Sequence, residues 1–173
     1  IGIDAYPVLI STEKIQAIPE RLPSLAQFDH VVVCFNFKNN NHCIDATDNF
    51  TPWHLIPQGI QGNYSLAVLP SSTPETVRID PYGWKINIDT NLKFDAEANL
   101  EEQQTRRYTG IASPIIKSNL AQYTEKEKRE VLIEEYQNIT GNNTTIDVSF
   151  DDISNMDDTY QIVTDTEFDA FMD

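Results

Sequence analysis

His30 and Asp45 are the residues in this chain whose types and placement can carry chemistry. They open and close the stretch HVVVCFNFKNNNHCID, within a longer segment, residues 28–50, that reads as a β-hairpin. An apolar run from Val31 to Phe37 leads into an Asn-rich turn and a second short strand ending in Asp-Ala-Thr-Asp. Side chains alternate faces along a strand, and a two-residue turn preserves that parity between partners. With Lys38-Asn39 at the turn, Asp45 lies opposite Val32 and is His30's diagonal neighbour, roughly 7 Å away between backbones. With Asn39-Asn40 at the turn, Asp45 slides to face Cys34 but keeps His30's face. Asp48 falls on the opposite face if the ladder reaches it. A carboxylate beside an imidazole fixes its tautomer and stabilises the imidazolium that forms when the ring takes a proton. The same pairing also serves as a purely structural hydrogen bond.

A nucleophile is harder to find. Cys34 lies four residues along the same strand from His30, about 13 Å away at the usual rise and beyond hydrogen-bond reach. A buried small hydrophobe is the favoured reading for it. Cys43 can face Cys34 across the hairpin, which leaves a cross-strand disulfide open in an oxidising compartment, although hairpin geometry often strains such bonds. His42 falls on the face opposite His30 and His54 sits in a loop, so the histidines have no zinc-ligand spacing. The acidic stretch DDISNMDD lacks the turn glycine and closing Glu of a calcium loop. No metal and no cofactor are expected.

Around the hairpin, residues 1–10 form an apolar, β-branched run that predicts a buried strand, with Pro7 placing it at an edge or a bulge. Residues 11–27 read as a polar connection with a helical turn between Thr12 and Ile18. Residues 51–70 predict an ordered loop ending in a strand at Tyr64–Leu69. PSSTPET, residues 70–76, reads as a linker. Trp84 to Thr90 alternates, and Asn91 to Asp95 either extends that strand or begins the next. Asn99 to Tyr108 predicts a strand with a solvated face. After Gly110 a helix is expected over residues 111–122, broken or started near Pro114. Thr124 to Glu127 forms a capping box for a second helix that stops at Gly141. Ile146–Phe150 and Tyr160–Thr164 alternate as strands. Strands, helices, then strands indicate an α+β fold in two parts, residues 1–72 and 77–173.

The chain has 173 residues, enough to bury about 70% of its unfolded surface as one domain. Its net charge of −15 disfavours nucleic acid and anionic membranes as partners. Few charges fall in residues 1–70 and most fall in residues 95–173, which again suggests two differently built halves. No run approaches the ~18 apolar residues of a membrane span, so no membrane insertion is expected. The chain opens on Ile1 with neither an initiator Met nor a signal sequence, which predicts a piece of a longer polypeptide.

GIDAYPVLIST, DHVVV and IDATDNFTPWHLIP together resemble the second half of a transglutaminase-like (papain-like) core, in the version found in large bacterial proteins. His30 matches the family histidine and Asp45 the aspartate of its D-x-T signature, Asp45-Ala46-Thr47. Residues 78–173 are similar, by pattern, to the uncharacterised domain that follows this core, through LKFDAEANL, Gly110 before a helix, the capped helix and the closing strands. The resemblance implies a sheet remnant of the core plus a small α+β domain of mainly antiparallel strands with one or two helices. It implies a Cys/His/Asp triad acting on amide bonds, as a cysteine protease or acyl transferase. In the parent the partner is then a protein or peptide substrate, and the location periplasmic or cell-surface. The family cysteine would precede Gly2, on a helix outside this sequence, so the chain by itself is expected to be inactive. Two other readings stand beside it: a non-catalytic interaction module that keeps the fold without the chemistry, and a second half that is the functional part. A core missing its helix also predicts a homodimer through residues 1–70.

Overall fold

The computed structural model describes residues 2–13, 24–38, 40–77, 83–96, 99–140 and 144–168. The chain divides into two compact units, Ile1–Gly83 and Trp84–Asp173. Both are built on antiparallel sheets, and the second carries two α-helices, an α+β architecture.

The first unit is a five-stranded sheet of order β3-β2-β1-β4-β5. Its strands are β1 (Ala5–Ile10), β2 (His30–Phe37), β3 (Asn40–Ile44), β4 (Tyr64–Ala67) and the two-residue β5 (Glu75–Thr76). The β2–β3 register sets Phe37 opposite Asn40 and Cys34 opposite Cys43, the alignment expected of a turn at Lys38-Asn39. Lys38 takes a positive φ of 50°; Asn39 lies outside the described residues. Alternation puts Val8, Ile10, Val32 and Cys34 on one face, where Ile56 and Ile60 of the loop before β4 close over them. On the other face Val31, Val33, Phe37 and Ile44 stay exposed.

Two expectations are corrected here. The strand holding Pro7 is interior, between β2 and β4. It tolerates the proline because the Pro7 carbonyl accepts from Val68 N–H, so the missing N–H points toward β4 beyond the last paired residue, Val8. The supposed linker 70–76 includes β5, which pairs with Tyr64 and Ser65, and the first unit continues to Gly83. The helical turn foreseen at Thr12–Ile18 and the stop at Gly141 fall mainly or wholly outside the described residues.

The second unit is a four-stranded sheet, β6-β7-β9-β8. It comprises β6 (Trp84–Phe94), β7 (Leu100–Gly110), β8 (Thr144–Phe150) and β9 (Thr159–Phe168), with α1 (Ala112–Leu120) and α2 (Glu125–Thr140) between β7 and β8. Residues 91–94 extend β6 without a break. Gly110 turns the chain with φ 62°, and α1 then starts ahead of Pro114, which lies in the first turn where no N–H partner is needed. The capping box of α2 is formed in both directions: Thr124 N–H donates to Glu127, and Glu127 N–H donates to the Thr124 hydroxyl. Leu120, Leu132, Val148, Tyr160 and Ile162 form the core. Lys117 is buried with them, its Nζ donating to the carbonyls of Asn155 (2.5 Å) and Asp157 (3.0 Å). Burial lowers the Lys117 pKa, and the nearby carboxylates of Asp157, Asp151 and Asp158 oppose that shift.

Candidate active site

His30 begins β2 at a point held on both sides. Asp29 N–H donates to the Ile10 carbonyl, and the Asp29 carboxylate accepts the Thr12 N–H (2.7 Å) and the Thr12 hydroxyl. Those bonds, the hydroxyl's first, keep the Asp29 carboxyl below its usual range. His30 itself sits opposite Ile10 in the β1–β2 ladder and shares the core face with Val32.

Asp45 is the first residue past the end of β3, and its carboxylate turns back to the sheet. Its Oδ2 lies 2.7 Å from His30 Nε2. Its Oδ1 accepts from Thr47 twice, from the backbone N–H at 2.9 Å and the hydroxyl at 2.7 Å. An Asp two residues before a Thr can close such a turn with its own side chain. Burial pushes the Asp45 carboxyl upward, but the Thr47 hydroxyl and backbone bonds and the contact with His30 outweigh it, and the pKa is lowered. The acid therefore stays a carboxylate near neutrality. Its side chain is 9% exposed against 21% for His30, so the carboxylate is shielded while the imidazole still reaches the surface.

With Nε2 directed at Asp45, Nε2 is the nitrogen that carries the proton and Nδ1 the one left to accept another. This is the arrangement of a general base held by an acid. Beside it on the same face is a cleft of about 230 Å³, lined by Val8, Ile10, Val32, Ile56, Ile60 and Val77 among others. Two of these residues, Ile10 and Val32, are His30's cross-strand partner and same-face neighbour.

The other candidates are placed elsewhere. The ladder stops at Ile44, so Asp48 never enters it; its carboxylate accepts from Phe50 N–H, Thr51 N–H and the Thr51 hydroxyl, all within its own loop. Cys34 is buried, as expected of a small hydrophobe, but it is joined to Cys43 as a disulfide, their Cα atoms 4.0 Å apart, the less favoured of the two readings. The pair of facing positions was visible in the hairpin parity; that the two sulfurs bond was not. His42 packs against Phe35 and Trp53 on the other face of the sheet. Among the described residues no group of three or more His, Cys, Asp or Glu side chains is placed to hold a metal ion. The part sequence reasoning missed is Thr47's double donation, whose only signal was the D-x-T spacing itself.

The chain matches no family model, no curated protein and no solved structure.

Proposed function

We propose that the first unit is part of a transglutaminase-like, papain-like Cys/His/Asp core acting on amide bonds, as a peptidase or an acyl transferase. The observation that carries the reading is the His30–Asp45 contact of 2.7 Å, made to a carboxylate that Thr47 holds in place. In this mechanism His30 Nδ1 takes the thiol proton as the sulfur attacks the amide carbonyl, then returns it to the departing amine. Asp45 fixes the tautomer and stabilises the imidazolium between those steps. Cys34 and Cys43 are bonded to each other, so neither supplies the thiol, and the proposal assigns it to a segment of the parent polypeptide ahead of Gly2. The chain taken alone is then inert.

The test is thiol-dependent amide cleavage or amine transfer by the parent polypeptide, with single substitutions. His30→Ala abolishes the activity, and Asp45→Ala lowers kcat by about a thousandfold or more, as loss of an orienting carboxylate does. Asp48→Ala leaves kcat/KM within a few-fold, whatever it costs the loop in stability. Equal losses from Asp45→Ala and Asp48→Ala sink the assignment, as does activity indifferent to thiol-blocking reagents.

A second reading has its own support. The face opposite His30 exposes Val31, Val33, Phe37 and Ile44 beside the rings of Phe35, His42 and Trp53. A patch of this kind suits a non-catalytic interaction module or a homodimer through residues 1–70. A parent that carries no cysteine reactive toward a thiol probe favours it over the enzyme.

A further inference from the structure

The second sheet ends in β6, an edge strand of 11 residues whose one-to-one pairing with β7 runs without a bulge from Trp84 to Phe94. Native edges are protected by proline, by lysine and other charges, by bulges, by brevity or by a covering element, and of these β6 has two lysines, Lys85 and Lys93, the second already bound to Glu101. β6 has no proline and is twice as long as a typical strand. Its even-numbered residues form an apolar row interrupted by Thr90, namely Trp84, Ile86, Ile88, Leu92 and Phe94, each between 40% and 68% exposed. The row lies on the sheet face that the helices cover and meets buried or half-buried side chains near its ends, where Ile86 is opposite Tyr108 and Phe94 opposite Leu100, but its middle is set off from the core. The β7 residues opposite Ile88, Thr90 and Leu92 are Arg106, Gln104 and Glu102, a polar file between the row and β9.

We propose that β6 pairs with β6 of a second copy, antiparallel about Asn87, so that two four-stranded sheets join into one. Pairing a strand with itself in antiparallel fashion generates the two-fold, self-complementary contact that closed dimers use. The charges on the odd-numbered face select the register. With Asn87 opposite its own mate, Lys85 faces Asp89 of the second copy, and the contact occurs twice. On the other face Ile86 meets Ile88 and Trp84 meets Thr90, so the apolar row continues across the seam. Asp89 already accepts from Arg107 at 3.1 Å, which would set one carboxylate between two cations at each end of the seam. A register about Asn91 also matches lysine with aspartate, through Lys93, but Lys93 is held by Glu101 at 2.7 Å. Lys85 has no ion-pair partner among the described residues. The overlap of residues 84–90 spans roughly 24 Å of strand at the usual rise.

Overall charge points to the same place. Two copies of a −15 chain repel over most of their surfaces. On β6, Glu101 answers Lys93 and Arg107 answers Asp89, which leaves Lys85 as an uncompensated cation in an acidic protein. A like copy is therefore better accommodated here than elsewhere on the second unit.

The experiment is light scattering and sedimentation on the full chain over a concentration series, with six variants. The expected result is a reversible dimer at micromolar to tens of micromolar concentration. Ile88→Lys, at a side chain already exposed and so without cost to the fold by circular dichroism, weakens it at least tenfold. Asn87→Cys is trapped as a disulfide-linked dimer under mild oxidation, and Asn91→Cys is not. Lys85→Glu also weakens association, and Lys85→Glu combined with Asp89→Lys restores part of it, which a merely structural role for either residue would not produce. A strict monomer at the highest soluble concentration overturns the proposal. So does a dimer that survives Ile88→Lys but dissociates with Val33→Lys on the first sheet. Preferential trapping of Asn91→Cys overturns the register.

Discussion

At His30 and Asp45 the decisive property is that the carboxylate is both shielded and fully bonded. Asp45→Ala leaves the His30 ring N–H and the Thr47 donors without their acceptor, a loss of about 1–3 kcal/mol in urea unfolding. The sign of the pH dependence follows from the lowered pKa. A carboxyl that titrates below its ordinary 3.8 when folded binds fewer protons than the unfolded chain does. Its contribution is complete above about pH 4 and is lost as the pH falls through the lower folded value. Thr47→Val tests the cause, because it removes the hydroxyl bond and keeps the backbone one; the Asp45 carboxyl, followed by NMR titration, should move up. Placing His30 beside Asp45 needed only the alternation of a strand, which is a property of the backbone and therefore readable from residue spacing. Asp48 was separated from the pair for a partly different reason from the one parity offered. The ladder ends at Ile44, and the Asp48 carboxylate turns into its own loop instead of to the far face.

Among the elements, those with a local signature were legible and those without one were not. The capping box of α2 is written in four consecutive residues, Thr124 to Glu127, and it formed. Thr124→Ala removes the hydroxyl acceptor and should cost about 1 kcal/mol in thermal unfolding of the second unit. β5 has no signature, since two residues cannot show a period, and its place on the sheet is set by β4 and by the Val77–Asn63 and Gly62–Val77 backbone bonds. Pro7 misled for a related reason. Its consequence depends on which side of the strand the absent N–H faces, and only the arrangement of β4 settles that. The disulfide lay between these cases: parity brought Cys34 and Cys43 face to face, but oxidation is chemistry that parity does not contain.

On the scale of the whole molecule, the shift in charge along the chain announced two parts, and the structure has two cores, one around Val8, Ile10 and Val32 and one around Leu132, Val148 and Tyr160. The boundary fell later than composition suggested, at Gly83 and Trp84, because β5 draws the proline-flanked stretch into the first unit. The disulfide belongs to the first core alone. Its loop spans 9 residues, and closing a loop of that size stabilises by about 2–3 kcal/mol in the chain-entropy account. Reduction should therefore lower the unfolding midpoint reported by Trp53 fluorescence, read in a Trp84→Phe background. The midpoint of the second unit, followed by the amide protons of β9, should stay where it was.

Lys117 has a consequence of a different kind. It grips the acidic segment after β8 by the carbonyls of Asn155 and Asp157, groups that every amino acid carries. The side chains at those two positions are tied into the same turn, Asn155 Nδ2 donating to the Asp157 carboxylate and Asp157 N–H to the Asn155 amide oxygen. The contour of the segment therefore has two supports, one buried ammonium reaching out from the core and a set of side-chain bonds within the turn itself.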